Sequence, residues 1–227
     1  MTIALCPPRC ALCQAPGQLR RGRPLDLCAL CEAALPRQPL AVVAWRPGRG
    51  ALPFAAMSGG GAAFGPALRL APFRFGPPVD AMIRGLKFHD QPYQARILGT
   101  LLADAVLAEA LPLPDALLPM PLHGSRLARR GYNQAEELAR FTAQALQRPW
   151  QRHWLQRSRA TAEQSHLSAR QRIANVAGAF HAAQALPPLH VALIDDVITT
   201  GSTARAAARV LLDAGLRRVD VWAVARA

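Results

Sequence analysis

The sequence predicts an α/β domain, a mostly parallel sheet flanked by helices, preceded by a small four-cysteine module. Three observations carry the prediction. From residue 79 onward, short apolar runs alternate with segments whose apolar residues recur at helical spacing. Two adjacent aspartates and a hydroxyl-rich loop stand between one such run and the next helical pattern, in VALIDDVITTGST (191–203). Two Cys-x-x-Cys pairs, Cys10/Cys13 and Cys28/Cys31, lie close together near the start of the chain.

In chain order, residues 1–38 hold all five cysteines, with several Pro and Arg and little apolar periodicity. Such a segment builds no core of its own, and a metal is what would fold it. Each Cys-x-x-Cys pair forms a tight knuckle that offers two thiolates to one ion, and the pairs are separated by fourteen residues. Cys10, Cys13, Cys28 and Cys31 are therefore expected to bind one structural zinc in a closed tetrahedral site, with Cys6 left over. Reduced, unligated thiols or disulfides are the alternatives, and disulfides fit poorly without an export signal. Residues 39–78 are expected to be an irregular connection, richest in Gly and Pro over 46–66. The α/β domain is assigned to 79–227.

Within that domain, Met82, Ile83 and Leu86 mark one helix, and Ile97, Leu98, Leu101, Leu102, Ala105 and Val106 a longer one that ends before Pro112 and Pro114. Ala116–Met120 reads as a strand. Asn133 with Glu136 suggests a capped helix running through Leu138, Phe141 and Ala145, and Ser168 with Gln171 another capped turn. Val191–Ile194 reads as a buried strand, Ser202–Ala214 as a helix stopped by Gly215, and Val219–Val224 as a final strand. In parallel sheets of this kind ligands gather at the carboxyl ends of strands, where Asp195 and Asp196 fall.

Composition narrows the class of protein. The chain has 227 residues, 51% of them hydrophobic, enough for one substantial core and a small appendage. No apolar run approaches the ~18 residues of a membrane helix. The start, MTIALCPPRC, is too short and too broken by Pro and Cys for a signal peptide. A soluble cytoplasmic protein without membrane insertion is expected. Formal net charge is +13, with a single lysine, Lys87, among 27 basic residues. Arginines cluster at Arg126, Arg129 and Arg130 and again from Arg148 to Arg172, as steered binding of a polyanion or polyphosphate requires. The alternative is a coding bias spread over the surface.

The stretch 191–203 explains its own oddity. Two carboxylates at a strand end repel each other, but the loop Thr199-Thr200-Gly201-Ser202-Thr203 leads into a helix N-terminus, where unpaired backbone N–H groups and the helix dipole favour a phosphate. The acids beside it suit sugar hydroxyls, so a phosphorylated ribose would satisfy both halves. Pro121–Arg126 follows another strand, and an arginine there suits a pyrophosphate, which its planar fork can pair bidentately. His123, His153, His166 and His190 have no metal-ligand spacing and no Ser/His/Asp order, so none is assigned to catalysis.

The 191–203 stretch resembles the phosphoribosyl-diphosphate (PRPP) signature of type I phosphoribosyltransferases. Together with LLPMPLHGSRLARRGYNQAEELA (117–139), RSRATAEQSHLSARQRIANVAGAF (157–180), IRGLKF (83–88) and the cysteine pairs, it is similar to the ComF family, over nearly the whole chain except about residues 40–70. That resemblance implies a type I phosphoribosyltransferase-like fold behind a zinc ribbon, linked to DNA uptake in competent bacteria. It implies that Asp195 and Asp196 bind the ribose hydroxyls while Thr199, Thr200, Gly201, Ser202 and Thr203 cradle the 5′-phosphate. Arg126 would act on pyrophosphate, and Arg159 would join the PRPP site from a lid over 157–172. Magnesium, held mainly by the ligand, would assist departure of pyrophosphate, with Asp195, Asp196 and Arg126 as the catalytic set. The acceptor pocket would come from a hood around residues 70–90. Tyr132 either stacks on a base or packs on the domain. Single-stranded DNA and a competence helicase are the implied partners, and a non-catalytic accessory that keeps the fold as a sensor is the alternative to an enzyme. Some relatives look as if they carry further cysteine pairs; here LPFAAMSGGGAAFGP holds none, so one zinc is expected.

Overall fold

The structure, a computed structural model, describes residues 8–39, 43–45, 67–88, 91–159, 178–183 and 185–227. The lid residues Thr161, Gln164, Arg170 and Arg172, the Ser168 turn, the 46–66 connection and Cys6 lie outside the described residues.

The N-terminal part opens with a hairpin of β1 (Gln18–Arg20) and β2 (Arg23–Leu25). Its two-residue turn, Arg21-Gly22, has φ of 50° and 75°, the left-handed pair that matches the twist of a tight hairpin. A short helix, α1 (Ala29–Ala33), follows, with the Cys28 Sγ accepting from the Cys31 N–H at its start. Leu25 and Leu27 are fully buried here, and they bury against the larger domain, whose core is continuous with Cys10, Cys28 and Leu35. Arg20 and Arg21 reach Asp104 at 3.2 and 3.1 Å, and Arg96 pairs with Asp26, so ion pairs ring the same contact.

Three short strands come next, β3 (Val43–Trp45), β4 (Ala67–Leu70) and β5 (Phe73–Arg74), then helices α2 (Val79–Phe88) and α3 (Tyr93–Ala108). Strand β6 (Ala116–Pro119) leads to α4 (Gly124–Arg130) and α5 (Gln134–Leu146). A two-stranded unit, β7 (Leu155–Arg157) with β8 (Phe180–Ala182), precedes β9 (His190–Ile198), α6 (Ser202–Asp213) and β10 (Arg218–Arg226). The central sheet runs β3-β4-β10-β9-β6, with β5 also on β10, and every pairing in it is parallel except β3 with β4. The expected α/β class is therefore found: a mostly parallel sheet with helices on both faces, its parallel neighbours β6, β9 and β10 joined by helical crossovers.

Two differences from the sequence reading have physical causes. Residues 67–74, expected in the irregular connection, form β4 and β5 and pair with β10. Strands of four and two residues flanked by Pro and Gly are too short to show a period of two. The strand expected to end at Ile194 continues to Ile198, so the aspartates belong to its last residues.

Side-chain alternation along the central strands assigns the faces. Ala192, Ile194, Trp222 and Val224 pack with α3 and α5, whereas Val191, Leu193, Val221 and Ala223 pack with α6. Helix α5 approaches α3 closely at Gly99, where a Cβ would stand 2.9 Å from Phe141 Cβ and 3.0 Å from the Leu138 carbonyl oxygen. Thr142 Oγ1 donates to the Gly99 carbonyl at 3.1 Å across that contact. Asn133 caps α5 as expected, its Oδ1 accepting from the Ala135 N–H at 3.1 Å, but the Glu136 carboxylate turns away to Arg152 at 3.4 Å. At the amino end of the sheet, away from the aspartates, His190 Nε2 lies 2.9 Å from Asp220 Oδ2 and Arg218 donates to the same buried carboxylate.

Candidate functional site

The carboxyl ends of β6 and β9 and the start of α6 frame a cavity of about 370 Å³. Asp195 and Asp196 enter it from β9, Thr203 from α6, Arg126 and Arg130 from α4 and Arg157 from β7. Alternation on β9 sends the two acids to opposite sides of the sheet plane. Asp195 is half-buried beside Arg157, whereas Asp196 is only 4% exposed and turns toward α2 and α5. There Lys87 Nζ lies 2.6 Å from Asp196 Oδ2, and Gln134 Nε2 approaches the same oxygen at 3.5 Å. Each acid also accepts from the next backbone N–H, Asp195 Oδ1 from Asp196 at 2.9 Å and Asp196 Oδ1 from Val197 at 2.7 Å.

These surroundings divide the pair electrostatically. Burial, reinforced by the adjacent Asp196 carboxylate, pushes the Asp195 carboxyl up to about 7; the Asp196 N–H and Lys87 only partly offset this. Across the cavity, burial and then the Arg126 charge lower the basicity of Arg157, which Asp195 supports. Five cationic side chains, counting Arg84 and Lys87, face two carboxylates here, although Arg84 is answered by Asp80 at 2.9 Å. A cavity with that surplus suits a ligand carrying several negative charges, with the acids left to accept from hydroxyls.

The loop between β9 and α6 is short. Thr199 and Thr200 are exposed, Gly201 has φ 74° and Ser202 is buried at the first position of α6. Thr200 Oγ1 accepts from the Ser202 N–H at 3.4 Å and donates to Ser202 Oγ at 3.2 Å, holding the loop against the helix start.

Of the residues singled out from sequence, Asp195, Asp196, Arg126 and Thr203 line one cavity. Thr199, Thr200, Gly201 and Ser202 lie in the loop beside it rather than in its wall, and Arg159 is exposed beyond the wall. Arg157, two positions earlier, takes the wall position. Tyr132 packs on the domain, its hydroxyl donating to the Leu86 carbonyl. Sequence reasoning assigned no role to Lys87 or Gln134, and it placed Arg157 in the lid over 157–172 rather than in the wall of the cavity. Lys87 carried a signal, being the single lysine of a strongly arginine-rich chain. Gln134 carried none, because its role comes from packing between distant segments.

A second candidate centre lies in the N-terminal part. The Sγ atoms of Cys10, Cys13, Cys28 and Cys31 all lie within 4.8 Å of one another, with Cys13 and Cys28 3.6 Å apart. Burial raises the Cys10 thiol, but backbone N–H donors from Cys28, Cys13 and Leu12 overcome it and bring it down to about 6. A cluster of thiols with one member so readily ionised could bind a metal ion. Among the described residues no helix is long and apolar enough to cross a membrane.

No family model matches the chain. The DNA utilization protein YhgH of Salmonella typhi is 40% identical over 154 residues, 66% of this chain and 68% of that protein. Competence protein F of Haemophilus influenzae is 38% identical over 157 residues, 66% of this chain and 69% of that protein. Among solved structures, the glutamine PRPP amidotransferase of B. subtilis complexed with ADP and GMP is a fainter likeness, with TM-score 0.40 and 21% identity over 61% of this chain and 30% of that one. On the sequence matches, which cover two thirds of those relatives, the chain belongs to the family of competence protein F and the DNA utilization protein YhgH.

Proposed function

We propose that the cavity at the end of β9 binds PRPP with magnesium and that the protein transfers the phosphoribosyl group to an acceptor, releasing pyrophosphate. The observation that carries this reading is the juxtaposition of Asp195 and Asp196 with Arg126 and Arg157 in one cavity, directly ahead of the α6 N-terminus. In this reading the two acids accept from the ribose hydroxyls, and backbone N–H groups of Thr199–Thr203 hold the 5′-phosphate. Arg126 and Arg157 pair with the pyrophosphate, with Arg159 closing over it from the segment that follows. Magnesium, bound chiefly by the ligand, supplies charge neutralisation as pyrophosphate departs. Lys87 keeps Asp196 oriented until hydroxyls and metal take over that role.

The four cysteines are proposed to hold zinc. Tetrahedral zinc with Zn–S near 2.3 Å places its sulfurs ~3.8 Å apart, which the 3.6 Å between Cys13 and Cys28 approaches. The names of the relatives support a place in DNA utilization or competence. A second reading, a non-catalytic accessory to single-stranded DNA or a helicase, is favoured by a groove of about 720 Å³ between the cysteine module and helices α3 and α5, where Arg20, Arg21, Arg23, Arg96 and Arg140 meet. Those arginines are largely engaged with Asp26, Asp104 and Glu137, so the β9 cavity remains the better-supported site.

The test is calorimetric titration of PRPP with magnesium into the wild-type protein and the Asp195→Ala/Asp196→Ala variant. Removing both hydroxyl acceptors is expected to weaken binding about a hundredfold or more. Equal affinity in the two proteins overturns the assignment.

A further inference from the structure

Away from that cavity, three arginines gather around the 199–201 loop. Arg69, from β4, brings Nη1 to 2.9 Å from where a Cβ on Gly201 would stand. Arg205, one turn into α6, donates from Nη2 to the Thr200 carbonyl at 3.2 Å. Arg226 ends β10, in register with Ile198 of β9. Arg69 and Arg226 line a cavity of about 210 Å³ against Ile198 and Ala71, and none of its lining residues is shared with the acid-bearing cavity. Its far wall is fixed, because Gln38 Nε2 is committed to the carbonyls of Ala71 and Phe73 at 2.9 and 3.1 Å.

Among the described residues, no side-chain carboxylate is ion-paired with these charges. None of the ion pairs among the described residues includes Arg69, Arg205 or Arg226. The stretch 40–66, which joins this edge of the sheet in sequence, contains no Asp or Glu. Burial, and then the charges of Arg205 and Arg226, lower the basicity of the half-buried Arg69. Three like charges held together beside a cavity cost free energy that a bound anion would offset. Guanidinium groups present donor forks that match a tetrahedral oxyanion. The space equals the share of roughly seven waters at ~30 Å³ each, enough for a phosphate or pyrophosphate group.

We propose that this cavity is a second anion site, taking a phosphate-sized oxyanion on Arg69 and Arg226 with Arg205 at its edge. The ligand is either free phosphate or pyrophosphate, or the terminal phosphate of a larger molecule. The site shares no lining residue with the acid-bearing cavity, and its arginines flank the loop assigned above to the 5′-phosphate, so it is a neighbour of the PRPP reading and is told apart from it by counting bound phosphates.

Equilibrium dialysis of the full chain against radiolabelled inorganic phosphate tests it: two phosphates per chain are expected for wild type, one at the loop and one on the arginines, and a single phosphate per chain overturns the proposal. The Arg69→Met/Arg226→Met variant is expected to bind one phosphate fewer per chain than wild type, or to bind that one about tenfold or more weakly. The Asp195→Asn/Asp196→Asn variant is expected to retain it. Arg226→Gln, at an exposed position, gives the same reading should the double variant fail to fold. Unchanged number and affinity of phosphates in the arginine variants overturns the proposal. Competition with AMP separates the sources: displacement of the labelled phosphate at this site identifies a terminal phosphate as an acceptable ligand, and retention identifies the free anion.

Discussion

Asp195 and Asp196 share a charge and a backbone but not an environment, and the difference has a pH signature. Because Asp195 is pushed up to about 7 in the folded protein, between its unfolded value and 7 the folded state holds a proton that the unfolded state has released. Stability therefore falls as pH rises from about 4 to 7, and no further contribution is lost above that. Asp195→Asn, neutral at every pH, is expected to flatten this window and to raise stability by about 1–3 kcal/mol at pH 8 while changing it little at pH 4, read from urea unfolding at both pH values. Affinity for a hydroxyl-bearing ligand should move oppositely, rising as Asp195 ionises. The aspartates and the loop after them were legible in the sequence because they are contiguous, so one strand end carries the whole pattern. The contacts of Lys87 and Gln134 with Asp196 were not, because α2 and α5, which make them, lie far from β9 along the chain.

At the scale of elements, the contact between α3 and α5 fixes where Gln134 and Arg130 stand, and that contact depends on Gly99 lacking a side chain. A methyl there meets both the Phe141 Cβ and the Leu138 backbone, neither of which can swing aside. Gly99→Ala is expected to cost about 1–3 kcal/mol and to loosen the cavity at the end of β9 through α5, measured as a lower denaturation midpoint together with weaker ligand binding. Unchanged midpoint and affinity would show that the helices can separate without consequence for the site. Amphipathic helices were readable because their pattern spans several turns, as in Ile97 to Val106. Strands β4 and β5 were not, because their pairing is decided by β10, a strand more than a hundred positions later in the chain. The α4 helix was hidden for another reason: its N-cap is His123, which accepts from the Ser125 N–H at 3.2 Å, a residue that the usual capping rules do not flag.

At the scale of the molecule, the cysteine module and the α/β domain share one core. Leu25, at the end of a hairpin with three residues per strand, and Leu27, two positions after it, contribute to that core from the cysteine module. A chelator strong enough to strip a four-thiolate site should therefore destabilise the whole chain, not the first residues alone. Releasing two buried leucines costs about 3–6 kcal/mol, so the thermal midpoint is expected to drop and to recover when zinc is restored. Atomic absorption is expected to find one ion per chain, and a midpoint indifferent to chelation would separate the module from the stability of the rest. The ion pairs at this contact, Arg20 and Arg21 with Asp104 and Arg96 with Asp26, were invisible beforehand because their partners lie on elements that meet only on folding.

The single lysine has a practical corollary. Lys87 carries the only side-chain primary amine in the chain, and it is engaged with Asp196 in the wall of the cavity, 23% exposed. Amine-directed reagents thus have one internal target, placed where a ligand would shield it, so the protein carries its own footprinting probe for occupancy of that cavity.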